Sequence, residues 1–434
     1  MRNLLGTFAV LLLSCSPMMS QDWTAQQCMR YAVEHNMQVH RAELELDNYE
    51  ASRLGAIGNF LPSVNAGIGV RYNFGRTIDP ETNGYTDIST FYNDYYAQVS
   101  LPLFDGFNRL HALKAAKASV LMGHNALREQ QDQTALSTLQ AWVNAVYYEG
   151  TVAMVEEKQR ETDLLLHQTK VMVEVGRKSL ADLAQIEAQQ AETAYELTHQ
   201  QNLLASALLE LKKDMRYPLS DSIHCGGEML SSESVLTLPM HFESHPSLMQ
   251  RFHSMEAKRQ EWLQTRSSLF PSLALSAGLS TSYYKTLHNP TVFSFREQLR
   301  NNMGEYVAAT LSIPLFNRLQ TVTSIRKARN NYRIACEAYE EKRLELERLS
   351  REAWQDMTAY QKQTLQMRKK VEADSLAYQL TRRQYEEGLS TAIDVHTTSA
   401  QLLKSKATLL QCQLMAQLKY ELVRYYNGEQ IWIE

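Results

Sequence analysis

Glycine and proline are scarce in this chain of 434 residues, which contains 17 glycines and 10 prolines. Both residues interrupt helices, so their scarcity favours long, unbroken α-helices. The sequence after residue 20 also lacks any apolar run long enough to cross a bilayer as a helix. A membrane-embedded form of the chain would therefore need β-strands, which can satisfy their backbone polar groups by pairing.

Signals for catalysis and for nucleic-acid binding are also missing. The net charge is only −4 and no basic run stands out, so the sequence predicts no nucleic-acid partner. The five cysteines show neither CxxC pairs nor zinc spacing, although a Cys28–Cys225 disulfide remains open. His241 and His245 have the spacing of one helix face, but they lie in a proline-containing linker. With no nucleophile elbow or phosphate loop, the sequence predicts no enzyme, no cofactor and no metal.

The N-terminus has the pattern of an export signal. Arg2 precedes the apolar run Leu4 to Leu13, which is too short to span a bilayer. Residues 1–20 are therefore interpreted as a signal peptide that ends at Met18-Met19-Ser20. The segment Leu12-Leu13-Ser14-Cys15 also fits a bacterial lipobox, so lipidation of Cys15 is an open alternative to its removal.

Four segments alternate between apolar and small or polar residues, as two-faced β-strands do. After Pro62, for example, Val64, Ala66 and Ile68 alternate with polar or glycine residues. Aromatic residues cluster at the loop ends of these segments, as in interfacial girdles of membrane strands. The predicted strands span about residues 63–75, 95–104, 272–284 and 305–316.

The apolar strand face has two interpretations, a soluble sandwich or contact with lipid. The export signal favours lipid and hence a transmembrane β segment. Because four strands cannot close a barrel and an open edge is not tolerated in lipid, several chains must contribute. Three chains would supply twelve strands.

Two proline-free runs, at about residues 106–175 and 318–387, predict exceptionally long helices. Each would be roughly 100 Å long at the helical rise per residue. Ile325, Tyr332 and Tyr339 follow heptad spacing, which indicates coiled-coil packing. A plain antiparallel helical bundle is the alternative.

The chain contains an internal repeat. Repeat 1 covers residues 21–216, repeat 2 covers residues 244–434, and an irregular linker at 217–243 joins them. Each repeat has the order helix, strand, loop, strand, very long helix, tight turn, helix. The last helices of the two repeats are predicted at about residues 180–215 and 391–426. The fold class is therefore mainly α, with two repeats of long helices plus a β-hairpin.

The turn after each long helix has one motif. Gly176 can take the left-handed conformation that ends a helix, and Ser179 with Asp182 forms a capping box for the next helix. The equivalent residues of repeat 2 are Gly388, Thr391 and Asp394. The chain therefore reverses tightly at both positions.

The duplicated layout, the strand-pair prolines and the Gly-x-x-Ser/Thr-x-x-Asp turns together resemble the TolC-like outer-membrane efflux protein family. The resemblance covers about Trp23 to the C-terminus. It implies a homotrimer in the outer membrane, with a shared twelve-stranded β-barrel and an α-helical barrel in the periplasm. Such a channel exports small molecules or proteins in a tripartite efflux or type I secretion system, with a periplasmic adaptor (membrane fusion protein) and an inner-membrane transporter as partners.

The resemblance also implies roles for residues at the turns. Asp394, Tyr385 and Asp182 match members of a periplasmic gate, but Thr397 and Ser390 stand where a second aspartate and an arginine are expected. A periplasmic coiled-coil adaptor or scaffold is the alternative function. The residues expected to contact an adaptor are Gly176, Arg177, Lys178, Ser179, Leu180, Gly388, Leu389, Ser390, Thr391 and Ala392.

Overall fold

The structure is a computed structural model of the chain. The predicted signal peptide with Cys15, most of the predicted linker, and His241 lie outside the described residues. The described residues are 22–78, 84–87, 89–226, 242–286 and 293–433.

The described chain is mainly α-helical, as predicted. The two long helices contain 67 residues each and end within one or two residues of the predicted limits. The helices are α1 (Ala25–His35), α2 (Met37–Gly58), α3 (Asn108–Glu174), α4 (Leu180–Met215), α5 (Pro246–Ser267), α6 (Phe295–Asn301), α7 (Gln320–Glu386) and α8 (Ala392–Tyr426).

The described strands form a four-stranded antiparallel sheet and a separate short hairpin. The order in the larger sheet is β1-β4-β5-β6, so each repeat supplies two neighbouring strands. The hairpin pairs β2 with β3. The strands are β1 (Ser63–Asn73), β2 (Arg76–Ile78), β3 (Tyr85–Asp87), β4 (Thr90–Phe104), β5 (Ser272–Thr286) and β6 (Gly304–Ser312).

The chain forms two compact units, and each unit contains parts of both repeats. Unit 1 comprises Met1–Arg41, Glu129–His245 and Leu346–Glu434. Unit 2 comprises Ala42–Arg128 and Pro246–Glu345, and it contains the four-stranded sheet.

The apolar core of unit 1 gathers residues from α1, α3, α4 and α8. Trp142 of α3 donates its indole N–H to the carbonyl oxygen of Trp23 at 2.9 Å, which fixes the start of the described chain to this core. Cys28 and Cys225 are buried in the same core as free thiols, so no disulfide joins them here. Other core residues are Met29, Ala32, Leu139, Leu211, Met215, Leu414 and Leu418.

The first helix of repeat 1, predicted as one element, is broken at Asn36. Asn36 has an extended backbone, with φ −68° and ψ 135°. Its side-chain oxygen accepts from Gln38 N at 2.7 Å, and its amide donates to Asp214 O on α4 at 3.1 Å. A local cap and a distant carbonyl therefore stabilise the break.

Apolar side chains form continuous rows across one face of the large sheet. Val64 pairs with Val99, Val99 with Ala277, and Ala277 with Val307. Directly paired residues share a face, so the apolar faces of all four strands coincide. Val64 is 70% exposed and Val307 is 77% exposed, so the described residues leave much of this face uncovered.

On the opposite face a tyrosine lies over a glycine of the neighbouring strand in each repeat. Gly67 pairs with Tyr96, and Gly278 pairs with Tyr306. A Cβ built on Gly67 would meet the Tyr96 ring at 2.7 Å, and one on Gly278 would meet the Tyr306 ring at 2.7 Å. Only glycine leaves room for these rings, which cover the exposed backbone of the partner strand.

Two strand ends differ from the prediction by four or five residues, and three short elements were not predicted. β6 stops at Ser312 rather than residue 316, because Pro314 has no N–H to donate and β5 begins opposite Ser312. β4 begins at Thr90, five residues earlier than predicted, where polar residues hid the strand pattern. The β2–β3 hairpin and α6 were not predicted.

Candidate functional site

Both helix-to-helix turns are built as their sequence motif predicts. Gly176 and Gly388 adopt left-handed backbone angles, with φ +76° and +83°. Arg177 N donates to Met172 O at 2.8 Å, and Leu389 N donates to Gln384 O at 2.8 Å. These wrap-around bonds satisfy the terminal carbonyls of α3 and α7.

The aspartates of the two turns cap the following helices. Asp182 N donates to Ser179 Oγ at 3.1 Å, and Ser179 Oγ donates to Asp182 Oδ2 at 2.8 Å. Asp394 and Thr391 make the same two bonds at 3.3 Å and 2.7 Å. Thr391 N and Ser390 Oγ also donate to the Asp394 carboxylate, at 3.0 Å and 3.1 Å. The hydroxyl donors therefore lower the pKa of Asp182 and the pKa of Asp394 below their ordinary values.

Large apolar side chains stand exposed on both turns. Leu180 is 75% exposed and Leu389 is 76% exposed. Nine of the ten predicted adaptor-contact residues lie at least partly on the surface. Ala392 differs, because it is 1% exposed and packs in the apolar cluster beneath the turns. In this conformation Ala392 supports the turn from inside and cannot touch a partner.

Tyr385 is buried beneath the turns and joins the two helical hairpins. Its side chain is 1% exposed, and its hydroxyl lies 3.1 Å from Thr169 Oγ1 on α3. Lys178 Nζ of the first turn lies 3.8 Å from the Tyr385 ring centroid, within reach of a cation–π contact. Burial raises the pKa of Tyr385 overall, although the hydrogen bond with Thr169 lowers it, and the negative charge of Asp182 raises it.

The three predicted gate residues, Asp182, Tyr385 and Asp394, each bond to a different partner and not to one another. The Tyr385 hydroxyl is bonded to Thr169 rather than to Asp182, whose carboxylate bonds to Ser179. Asp394 is fully occupied as a cap. Sequence reasoning missed Thr169, because a threonine inside a helix has no distinguishing pattern and its partner lies 216 residues away.

A polar groove of about 280 Å³ lies between α3, α7 and α8 in unit 1. Within it Tyr378 donates to Glu161 Oε2 at 2.8 Å, and Lys406 lies 3.5 Å from Glu157. Burial lowers the pKa of Lys158. Opposite charges pair across the groove, so we interpret it as a polar packing surface between helices.

The described residues offer neither a metal site nor a membrane-spanning helix. No group of three or more His, Cys, Asp or Glu side chains there could hold a metal ion. His245 packs in unit 1 against the rings of Tyr425 and Tyr426, with ring centroids 4.7 and 6.3 Å away. Within the same residues, no helix has a stretch apolar enough to cross a membrane.

Comparison with solved structures shows that this fold has been seen before. CusC matches with a TM-score of 0.82 and 16% identity, over 94% of this chain and 93% of that chain. The outer membrane protein VceC from Vibrio cholerae matches with a TM-score of 0.80 and 14% identity, over 93% and 96%. The Neisseria gonorrhoeae outer membrane channel MtrE matches with a TM-score of 0.76 and 16% identity, over 93% and 88%.

Comparison at the sequence level gives two results. No curated protein is detectably similar to the chain. In contrast, the family model described as outer membrane efflux protein matches residues 29–214 and 238–425, one match in each repeat. These two segments cover most of the chain, which therefore belongs to the outer membrane efflux protein family.

Proposed function

We propose that three copies of this chain form an outer-membrane channel that exports small molecules or proteins from an inner-membrane pump to the exterior. The observation that carries this proposal is the exposed apolar face of the four-stranded sheet. A water-facing sheet would leave that face uncovered, whereas lipid would cover it.

The edges of the sheet support assembly from several copies. The strand order leaves β1 and β6 at the two ends, each with one unpaired edge within the described chain. Unpaired backbone groups are costly in hydrocarbon, so β6 of one copy would pair with β1 of the next. With four strands per copy, three copies would close a twelve-stranded barrel.

In this proposal the long helices extend into the periplasm as an α-helical barrel, and the strand-joining loops face the exterior. The exposed leucines of the two turns, Leu180 and Leu389, would contact a periplasmic adaptor. The chain supplies a passage rather than a catalyst, and the inner-membrane transporter supplies the energy for export.

Structural relatives support the same assignment. CusC is described as forming a transmembrane channel, and MtrE as an outer membrane channel with an open state. A periplasmic adaptor or scaffold, the alternative function, would bury its apolar strand face against its own chain. The exposure of Val307 disfavours that alternative.

Two neighbouring substitutions on β6 test the proposal. Val307→Arg places a cation on the apolar face, where it would cost about 2–4 kcal/mol near the bilayer midplane. Ala308→Arg places the same cation on the opposite face, towards the water-filled lumen. We expect the Val307→Arg protein to be depleted from the outer-membrane fraction, and the Ala308→Arg protein to be recovered there as a trimer. Equal recovery of both variants, or a wild-type monomer in detergent, would contradict the proposed channel.

A further inference from the structure

Helix α6 is fixed to the free edge of β5, where β6 no longer pairs. The β5–β6 ladder ends at the pair Ser280 and Gly304, and β5 continues to Thr286. The side-chain amide of Gln298 makes the hydrogen bonds that a paired strand would make there. It accepts from Tyr284 N at 2.9 Å and donates to Tyr284 O at 3.0 Å. Asn302 donates to Ser282 O at 2.8 Å.

The same helix lies on the side of the sheet that carries the apolar face. Tyr283 shares a row with Asn93 and Val70, and therefore lies on that face. The ring of Phe295 packs edge-on against Tyr283, with centroids 5.0 Å apart. Phe295 and the neighbouring Phe293 are both exposed. The helix thus continues the aromatic rim that Tyr72 and Phe91 begin, whose ring centroids lie 4.9 Å apart.

Cationic side chains accompany these aromatic rings. Arg296 and Arg300 lie one helical turn apart on α6, and both are exposed. The only carboxylate of the helix, Glu297, caps it, because it accepts from Ser294 N at 3.0 Å and from Ser294 Oγ at 2.7 Å. Lys285 is exposed on the same sheet face as Tyr283. We call Lys285, Arg296 and Arg300 the rim cations.

We propose that the rim cations bind the phosphate groups of phosphorylated lipid headgroups in the outer leaflet, while Phe293 and Phe295 enter the boundary between headgroups and acyl chains. This inference rests on the proposed channel function, which places the strand-joining loops at the outer surface. Arginine matches phosphate because its planar guanidinium can donate two parallel hydrogen bonds to it. Aromatic rings favour the interface because they carry an apolar body next to a polar zone.

The charge pattern favours a phosphate-bearing lipid over an uncharged one. The helix presents two guanidinium groups and one carboxylate, Glu297, so α6 keeps a net positive charge that attracts phosphate. Arg300 interacts electrostatically with Glu297 on the same helix. Both guanidinium groups are exposed, so both can reach a headgroup. The short hydrogen bonds of Gln298 and Asn302 hold the helix in place, which lowers the entropy cost of binding.

The test uses the full-length protein in phosphatidylcholine nanodiscs that contain either a bis-phosphorylated glycolipid or its dephosphorylated form. Native mass spectrometry would count the glycolipids retained by wild type, by the double variant Arg296→Gln/Arg300→Gln, and by a control. The control, Arg326→Gln/Arg329→Gln, removes the same charge from two exposed arginines of α7. We expect about tenfold lower retention of the phosphorylated lipid in the α6 variant, from the loss of charge-assisted hydrogen bonds. The control should retain the phosphorylated lipid as wild type does.

The inference would be overturned by equal retention of the two glycolipids by wild type, or by equal losses of the phosphorylated glycolipid in the α6 variant and the control. Failure of the proposed function would appear earlier and separately, as a protein that does not insert into the nanodisc as a trimer. Intact, inserted trimers with unchanged lipid retention in the α6 variant would refute the rim-cation site alone.

Discussion

Tyr385 connects the two helical hairpins through side chains from different elements. Its hydroxyl lies 3.1 Å from Thr169 Oγ1, and its ring receives the Lys178 ammonium at 3.8 Å. It is also one of the largest fully buried side chains in the described chain. The hydroxyl and the ring of Tyr385 therefore contribute separately to the stability of the turn region, and substitutions can measure each contribution.

Tyr385→Phe removes the hydroxyl but keeps the ring, so we expect the turn region to lose about 1 kcal/mol. Tyr385→Ala also empties the buried space and should cost about 3–5 kcal/mol. Hydrogen exchange of the two turn segments would measure both losses. A double-mutant cycle with Thr169→Ala isolates the hydroxyl bond, and a coupling energy near zero would show that this bond contributes nothing.

The capping aspartates predict a defined pH dependence at the turns. Hydroxyl donors hold the pKa of Asp394 below its ordinary value of 3.8. Its cap is therefore fully formed above pH 3.8, and the stabilisation is lost as the pH falls through the lower folded pKa. Asp394→Asn should remove this dependence, whereas Glu387→Gln changes the charge of the same turn but keeps the cap. Hydrogen-exchange protection of residues 389–397, measured against pH, would report the stability of the cap. If the Asp394→Asn protein still lost protection in acid, protonation of Asp394 would not be the cause of that loss.

At the scale of elements, the strands depend partly on their own residue pattern and partly on pairing with segments that are distant in sequence. Alternation predicted the strand faces because apolar residues and small or polar residues take turns along each strand. It failed at the start of β4, where Thr90, Asn93 and Asp94 are polar, although pairing with β1 and β5 keeps them in the sheet. It also missed α6, whose anchors on β5 are backbone groups that no side-chain pattern reveals.

Among the helices and turns, the features with local causes were also predicted, and those that depend on distant partners were missed. Low proline content and the glycine–hydroxyl–aspartate motif predicted α3, α7 and both turns, because the causes lie within a few residues of the effect. The break at Asn36 was missed, since it depends on Asp214 of α4. The Tyr385–Thr169 bond was missed for the same reason, with the partner on another helix.

The glycines covered by tyrosine give a test at the element scale. Gly278→Ala would push a methyl group to 2.7 Å from the Tyr306 ring and 3.1 Å from the carbonyl oxygen of Ala97. We expect a loss of about 1–3 kcal/mol from overpacking, seen as a lower thermal stability of the purified protein. Gly69→Ala is the matched control, because its Cβ would meet only Asp94, at 3.7 Å. Equal stability of both variants would show that the tyrosine ring moves aside at no cost.

For the whole molecule, export through a partnered channel needs two separable properties, a stable membrane assembly and a surface that recruits the rest of the system. In the proposed channel the sheet of unit 2 would provide the membrane assembly and the turns of unit 1 would provide the recruiting surface, on separate parts of the chain. Substitutions at the turns should therefore affect transport and leave the membrane assembly unchanged.

The double variant Leu180→Ser/Leu389→Ser removes the two most exposed apolar side chains of the turns. Neither leucine contributes to the buried core, so trimer yield and outer-membrane recovery should equal those of wild type. Loss of two interface anchors of about 1–2 kcal/mol each would weaken adaptor binding by tenfold or more. Export of a dye or drug from cells with the matching pump should fall accordingly, and adaptor cross-linking should fall with it. The conservative variant Leu180→Met/Leu389→Met keeps the apolar surface and should retain export. If the serine variant exports normally, the exposed leucines do not form the adaptor contact, and recruitment must depend on other residues of the helices.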